Sequence, residues 1–490
     1  MKYVAKRFLF ISLSFFLVSI LIAQPASPMH EGTNGLFGND TDSVTGTTGW
    51  SSVDFDKFLF TGAYGYVQID NSNTGALILK THMLNLAGMF KMGNLTLGLS
   101  YQGALGGNTS KGISFSNNMN GDSKISTSSF PLFHNIRLLV GIPMNSGMNL
   151  GIRAGVDFGG EVGKTSMDSP KTLADLRSYT RTDTFSYKPQ FSVGTSFGVG
   201  DYTFTPTLDF SLSSVNGTSV GQSSTSGYHL GPIEAEDGSV YEASRKIRTY
   251  TPAFTLGLNV GLPSDNETIS WSSKVSYGFS ATVQPEKSEY TYAYDGLSKT
   301  YTELLHTYRP DKMFAHTVAL NIVGSKIVSP RLTVKGKAQF DVSYTDSLSG
   351  GTTKIDGTGT PVQSTRTKNI YLAPVVSLAA NVQLSEVVNW YTGLVCIPVR
   401  YTMTNTRNYA ESGIVVAGKS ETKSVTHNIH YPIISQFGTG VQVQPADELT
   451  ISFGLLFGSS SEQIELTTIS SVLSNANIRL GLIWKDVPDK

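Results

Sequence analysis

The chain has 490 residues, of which 15% are Asp, Glu, Lys or Arg, whereas a typical soluble protein has about 25%. Its 37 basic and 37 acidic residues cancel, which excludes the strong basic excess of many nucleic-acid-binding proteins. The aromatic content, with 25 Phe, 22 Tyr and 4 Trp, argues against intrinsic disorder. A single cysteine, Cys396, excludes an intrachain disulfide. The low charge content therefore needs an explanation other than an ordinary soluble surface.

The first 23 residues have the features of a secretory signal peptide. Lys2, Lys6 and Arg7 precede a nearly unbroken apolar run at residues 8–23. A basic start followed by a short apolar run predicts export and cleavage. An uncleaved membrane anchor is the alternative, although a spanning helix needs about 20 apolar residues. No cysteine directly follows the run, so a lipoprotein anchor is not expected. We expect the mature chain to act beyond the inner membrane.

Period-two alternation of apolar and polar residues recurs through the mature chain. Residues 95–102, LTLGLSYQ, place apolar side chains at one parity and mostly small or polar ones at the other, as in a strand with two unlike faces. After the leader, no apolar run is long enough for a spanning helix. The alternation predicts about 16 strands, or 14 if the first pair is discounted, at residues 58–70, 76–90, 95–102, 131–142, 148–158, 191–199, 202–212, 254–262, 269–283, 314–322, 332–344, 372–384, 390–401, 431–443, 449–457 and 478–484.

The polar parity distinguishes a membrane barrel from a soluble sheet. It carries mostly Gly, Ser, Thr, Asn and Gln, where a soluble sandwich would carry Lys and Glu. The apolar parity continues for about 9–13 residues in each strand, as in the lipid-facing band of a transmembrane barrel. Tyrosines near the strand ends suit interfacial aromatic girdles, and these are Tyr64, Tyr66, Tyr101, Tyr202, Tyr277, Tyr344, Tyr391, Tyr401 and Tyr431. The sequence predicts a lipid-facing wall around a polar lumen, which explains the low charge content.

The lengths of the links agree with this fold, because membrane barrels alternate short periplasmic turns with long outer loops. Short links rich in Gly, Asn, Asp and Pro are predicted at residues 93–94, 143–147, 200–201, 263–267, 324–331, 385–386 and 445–448. Long links are predicted at residues 106–130, 160–186, 213–249, 284–312, 346–368, 403–427 and 459–476. We therefore predict an all-β fold, an antiparallel transmembrane β-barrel with both ends on the periplasmic side. Residues 24–56 would form a periplasmic tail or a lumen plug, and residues 57–490 the barrel.

The last predicted strand carries a polar residue, a glycine and an aromatic at Arg479, Gly481 and Trp484. This spacing resembles the C-terminal assembly signal of bacterial outer-membrane β-barrels, and the whole mature sequence resembles that porin-like class. The resemblance implies the cell outer membrane as location, with outer-membrane lipid and the barrel-assembly machinery as partners. Residues 485–490 depart from the common ending on an aromatic residue. No Asn-Pro-Ala motif follows the leader, so the long-chain fatty-acid transporter family is not assigned.

Charged residues at the polar parity are the candidate lumen-lining residues. They are Arg137, Arg153, Asp157, Asp209, Lys274, Lys335, Lys337, Asp341 and Arg479. An excess of one sign in a narrow passage concentrates counter-ions and tunes selectivity. The excess is positive, so we predict a weak preference for anionic solutes. The alternative is that these side chains pair across neighbouring strands and stiffen the wall.

No motif in the sequence indicates catalysis. Residues 217–221, GTSVG, fit the G-x-S-x-G pattern, but a nucleophile elbow needs a strand-to-helix turn and these residues fall in a Ser/Gly-rich link. Asp40 and Asp42 lack the glycine and glutamate of an EF-hand loop. His427 and His430 are close in sequence, but they fall in a predicted outer loop. Cys396 is most simply a small apolar residue. We predict no catalytic residue, no metal and no cofactor, and we do not expect an enzyme.

The function predicted from the sequence is an outer-membrane pore or transporter for passive passage of small solutes through a polar lumen. One alternative is an adhesin or structural barrel that binds partners through its long loops, and another is a hydrophobic-substrate transporter with an N-terminal plug. The tyrosine-rich link at residues 284–312 could serve sugar or protein contacts, or extend the strands beyond the membrane. A homo-oligomer is compatible with the sequence, and no nucleic-acid partner is expected.

Overall fold

A computed structural model of the chain describes residues 55–486 except 72–76, 115–122, 145–146, 170–175, 223–227, 230–232, 235–239, 242–243, 263–268, 285–286, 296–299, 309–310, 350–351, 356–361, 397, 412–419, 431–435 and 459–475. The predicted leader, the segment at residues 24–54 and the aspartates Asp40 and Asp42 lie outside this part of the chain. Within the described ranges, no helix is long and apolar enough to cross a membrane.

The described elements are β-strands. Strands β1 to β12 are Phe58–Asn71, Leu77–Met92, Leu95–Ser114, Ser123–Pro143, Asn149–Ser169, Leu176–Val199, Tyr202–Gln222, Tyr228–His229, Ile233–Glu234, Val240–Tyr241, Ser244–Leu262 and Ile269–Gln284. Strands β13 to β24 are Lys287–Asp295, Thr300–Tyr308, Asp311–Ser329, Leu332–Ser349, Thr352–Ile355, Val362–Gln383, Val388–Cys396, Arg400–Glu411, Ser420–His430, Gln436–Ala446, Leu449–Gly458 and Ala476–Lys485.

All of these strands except β9 and β10, which pair with each other, belong to one antiparallel sheet that closes into a barrel. Each wall strand pairs with its neighbours along the chain, and β1 pairs with both β2 and β24, which closes the ring. Strands β19 and β20 together form one wall strand, and β21 and β22 form the next. The short strands β8, β9, β10, β13, β14 and β17 belong to the long links. The wall thus has 16 strands, which confirms the higher of the two predicted counts.

The short links and both ends of the described chain lie at the same end of the barrel. The Asp56 amide donates to the Asp486 carbonyl at 3.0 Å, so the approach to β1 and the exit from β24 are neighbours. Two-residue turns join β2 to β3 and β6 to β7, and their glycines Gly93 and Gly200 have φ of 62° and 60°. Glycine adopts this left-handed backbone without the steric cost that a Cβ atom brings. The predicted alternation of short turns and long links is confirmed in the described part of the chain.

Several predicted long links contain more strand than the sequence suggested. Strands β3 and β4 stay paired from Thr96 opposite Gly141 to Ser114 opposite Ser123, and β5 and β6 pair from Asn149 to Ser169. Alternation of apolar and polar residues requires an apolar environment on one face, whereas hydrogen bonding between strands does not. Strand pairing therefore continues beyond the membrane, where the sequence no longer marks it. The tyrosine-rich link is likewise the β13–β14 hairpin, and residues 431–435 of a predicted strand are not described.

The outer face of the ring carries large exposed apolar side chains. Leu99, Leu138, Leu208, Leu256 and Leu378, from strands spread around the barrel, are 53%, 58%, 43%, 50% and 50% exposed. A water-soluble monomer does not expose apolar side chains on this scale, whereas a transmembrane barrel turns such a band toward lipid. The chain is therefore an outer-membrane β-barrel in its architecture.

Candidate functional site: the inner wall of the barrel

The inner wall consists of side chains at the parity opposite to the exposed leucines. On β4, Leu138 is exposed, whereas Asn135 and Leu139 are 2% and 3% exposed. Directly opposite residues of neighbouring strands share a face of the sheet. The register therefore extends this assignment around the ring, for example from Arg153 to Ser192 on the next strand. All the candidate lumen-lining residues occupy this parity in the structure.

The structure brings one group of these candidates together on β4 to β7. Asp157 accepts hydrogen bonds from the side-chain amides of Asn135 and Gln190. Arg153 donates to the Ser192 hydroxyl at 3.3 Å and forms an ion pair with Asp209 at 3.5 Å. These contacts span four neighbouring strands with charges and amides that satisfy one another. They favour the alternative in which inward charges pair and stiffen the wall.

Arg137 belongs to the same region, and Lys188 is a member that the sequence prediction missed. Arg137 lies opposite Gly155, and Lys188 lies directly opposite Asp157. The predicted long link ended at residue 186 and the predicted strand began at residue 191, so Lys188 fell in neither. Lys188 and Ser192 are four residues apart, so they lie on the same face of one strand. Extending the predicted strand backward through Pro189 would have placed Lys188 on the inner face. The predicted anion preference depends on the net field of the whole lumen and stays a prediction.

Four further candidates lie on β12 and β16. Lys274 lies on β12, and Lys335, Lys337 and Asp341 lie on β16. Asp341 is 6% exposed and accepts a hydrogen bond of 3.0 Å from the Gln339 side chain. The carboxylate is thus held inside the wall.

Arg479 is the one candidate on the closing strand β24. Its backbone lies opposite Gly65 of β1 and Gly454 of β23, and its side chain is not described. In the same strand, Gly481 lies opposite Ala63. Trp484 is 51% exposed and packs edge-on against Phe58 with ring centroids 4.9 Å apart. An exposed aromatic at the short-turn end suits an interfacial position, while recognition by the assembly machinery stays a prediction.

An apolar cluster lies on the inner parity at the short-turn end. Phe55, just before β1, is fully buried, and Leu59, Met89 and Leu139 are at most 3% exposed. Ile483 of the closing strand packs against them. The predicted polar lumen therefore does not hold on this side of the barrel end, because β1, β2, β4 and β24 all carry large apolar residues at the inward parity here.

Polar contacts beside this cluster fix the position at which the chain enters the barrel. The Lys91 ammonium donates a hydrogen bond to the Phe55 carbonyl and lies 4.5 Å from the centroid of the Phe55 ring. The Asp486 amide donates to the Phe58 carbonyl at 2.9 Å. Lys91 of β2 thus holds Phe55 in place, while backbone hydrogen bonds with Asp486, just after β24, hold the residues that follow Phe55. The choice between tail and plug for the preceding residues stays a prediction.

A second apolar area of the inner wall lies on β18 and β19. Ala373 is fully buried and packs with Tyr371 and Val375. Tyr391 is 8% exposed and donates a hydrogen bond to the Gln442 side chain. The prediction of Tyr391 as a girdle residue is wrong, because its neighbour Trp390, 38% exposed, takes the outward parity.

The described residues give no support to a catalytic or metal centre. The GTSVG motif lies within β7, where Gly217 pairs with Thr184 and Ile247, so it forms no strand-to-helix turn. His427 lies on β21 and not in a loop, which corrects the prediction. Cys396 is half-buried at the end of β19. In the described part of the chain, no group of three or more His, Cys, Asp or Glu could hold a metal ion.

Comparison with known proteins gives distant similarities only. No protein-family model matches the chain, and no curated protein matches it. Similar solved structures include the P. putida toluene transporter TodX, with 10% identity and a TM-score of 0.40 over 93% of this chain and 95% of that chain. A Pseudomonas aeruginosa FadL homologue has 11% identity and a TM-score of 0.34, covering 95% of this chain and 99% of that chain. Identities and scores this low do not assign a family or a substrate.

Proposed function

We propose that the protein is an outer-membrane transporter that passes small apolar or amphiphilic solutes through a lumen with a closed periplasmic mouth. The apolar cluster of Phe55, Leu59, Met89 and Leu139 carries the proposal. An apolar constriction opposes the passage of hydrated ions, because a desolvated charge costs far more free energy than a desolvated apolar group. The hydrophobic-substrate alternative is therefore preferred over an open polar pore.

The position of Phe55 also supports a plug. Phe55 precedes β1 directly, contacts residues of the inner parity and is held by Lys91. A chain that reaches its first wall strand from inside the mouth is favourably placed to continue into the lumen. We propose that residues 24–54 form this plug, and that loosening Phe55 opens the mouth.

Passive passage of small polar solutes is the second candidate. The hydrogen-bonded group around Asp157 and Arg153 favours it, because such side chains would hold water in the lumen. Toluene is the solute that the name of TodX gives for that protein. A TM-score of 0.40 adds no weight to either candidate here.

Uptake of two dyes by intact cells separates the candidates. The full chain is expressed in a double-membrane bacterium that lacks its own general pores. Entry of the apolar dye N-phenylnaphthylamine is followed by its fluorescence, and entry of the polar substrate nitrocefin by a periplasmic β-lactamase. We expect several-fold faster uptake of the apolar dye and little change for nitrocefin. Fast nitrocefin uptake with unchanged dye uptake would overturn the proposal in favour of the polar pore.

The variant Phe55→Ala tests the mouth itself. Removing the ring creates a cavity in the cluster and removes its contact with Lys91, so we expect nitrocefin uptake to rise. Phe58→Ala is the matched control, because Phe58 packs against Trp484 on the outer face, three residues along the chain. An equal rise in both variants would point to general loosening of the barrel and against a gate at Phe55.

A further inference from the structure

A belt of tyrosine–histidine pairs lies on the outer face toward the long links. In each pair a hydrogen bond of 2.7 to 2.9 Å joins the tyrosine hydroxyl to Nδ1 of a histidine on a paired strand. The histidine always lies opposite the residue two positions after the tyrosine. The pairs are Tyr64–His82, Tyr101–His134, Tyr277–His316 and Tyr401–His427. Rings with one polar edge concentrate where a membrane meets water, so this Tyr–His belt marks the outer interface.

The length of the apolar band on the wall strand β16 agrees with this assignment. On β16 the outward apolar residues run from Leu332 to Val342, which is as long as the roughly 9–11 residues that a tilted strand needs to cross the hydrocarbon. Tyr344 follows and contacts His316 with ring centroids 6.2 Å apart. Asp346 is the next residue at the same parity. Side chains from Asp346 outward therefore meet the lipid headgroups.

Basic side chains cluster at this level on the outer face. They are Lys312 of β15, Arg366 and Lys368 of β18, Arg407 of β20 and Lys423 of β21, and we call them the basic patch. Lys368 lies opposite Asp346, and Arg366 opposite Leu348. These residues share the parity of Leu372, which lies opposite Tyr401 of the belt.

The register places like charges directly beside one another. Arg366 lies opposite Arg407, and Arg407 lies opposite Lys423. Such cross-strand pairs are destabilising without a counter-charge. Asp346 is the one acidic residue in the two cross-strand rows that hold the patch, and Arg366 donates to it at 2.9 and 2.7 Å. By formal charge, the two rows therefore hold five cations, Lys312, Arg366, Lys368, Arg407 and Lys423, and one carboxylate.

We propose that the basic patch binds the phosphorylated headgroup of an outer-leaflet lipid. Arginine and lysine are the side chains that recognise phosphate, and clusters of them beside a bilayer bind anionic headgroups. The position favours a lipid over a free anion. Ile370 of β18 and Met403 of β20 form the next row toward the membrane and lie opposite each other, where acyl chains would contact them. The assignment is independent of what the lumen transports.

The test uses diphosphoryl lipid A as the probe with the full chain purified in nonionic detergent. Native mass spectrometry measures the bound fraction against lipid concentration. Arg407→Gln/Lys423→Gln removes the like-charged cross-strand pair and should weaken binding roughly 30-fold, since each cation near an anionic membrane surface contributes a free energy that corresponds to several-fold in affinity. Arg248→Gln/Lys326→Gln removes the same charge from two exposed residues outside the patch and should bind as the unchanged protein does. Arg407→Lys keeps the charge and should retain most of the affinity.

Folding of each variant is checked by the mobility shift that barrels show on heating in detergent. Equal binding by the patch variant and the unchanged protein would overturn the proposal. So would an equal loss in the control variant, which would indicate a general charge effect. Displacement of lipid A by inorganic phosphate at the same concentration would reassign the patch to a free anion. Equal binding of dephosphorylated lipid would reduce the contact to acyl chains.

Discussion

At the scale of single residues, Gly93 makes the turn between β2 and β3 possible. Its φ is 62°, and an added Cβ would meet no atom within 4 Å, so any effect of substitution comes from the backbone alone. An L-residue in this conformation costs about 1–2 kcal/mol. We predict that Gly93→Ala lowers the temperature at which the barrel loses its folded mobility in detergent electrophoresis.

Gly336→Ala is the control for this prediction. Gly336 has no positive φ, and an added Cβ would meet only Leu378 at 3.8 Å. The temperature at which Gly336→Ala loses its folded mobility should stay near that of the unchanged protein. If Gly93→Ala loses its folded mobility at the same temperature as Gly336→Ala, the turn tolerates an ordinary residue.

The face of the sheet on which a residue lies could be predicted from the sequence, because successive side chains of a strand point to opposite faces. Arg153 and Asp209 were assigned to the same face, and their ion pair at 3.5 Å agrees. Met89 illustrates the limit, because it lies among residues that are apolar at both parities. Its burial with Phe55 depends on a contact with the chain entering the barrel, which a local pattern does not encode.

At the scale of elements, strand pairing extends further along the chain than the alternation of apolar and polar residues. Strands β4 and β5 stay paired from Pro143 opposite Asn149 to Lys124 opposite Asp168, although residues 160–169 fall in a predicted long link. A sequence marks a strand by the contrast between its faces, and that contrast disappears where both faces meet water. Membrane-crossing segments were therefore predictable, and their extensions were not.

Amide hydrogen exchange tests the extension of β4 and β5. Amides hydrogen-bonded within a ladder exchange only when it opens. We predict that peptides covering residues 159–169 exchange much more slowly in the folded protein in detergent than in the heat-denatured protein. Exchange at the same rate in both states would mean that these residues form an open loop, and the wall would end near the interface as the sequence suggested.

At the scale of the whole molecule, the closing contact between β1 and β24 decides the strand number. The sequence allowed 14 strands because the first pair alternates weakly around Lys80 and His82. With that pair omitted, β24 would have to close on β3. In the structure, Gly62 of β1 lies opposite Leu482 of β24. Closure is a contact between the two ends of the chain, so no local sequence pattern reports it.

A disulfide across this contact gives a direct test. In a Cys396→Ser background, Gly62→Cys/Leu482→Cys should crosslink on oxidation, because neighbouring strands lie about 4.8 Å apart and a disulfide joins Cα atoms up to about 7 Å apart. After cleavage at a protease site inserted in an outer loop, the two fragments should stay together without reductant. Ile451 lies opposite Leu482 on the far side of β24, so Gly62→Cys/Ile451→Cys is two strands apart and should not crosslink. No crosslink in the first variant would place β1 outside the closed wall and restore the smaller barrel, in which β24 closes on β3.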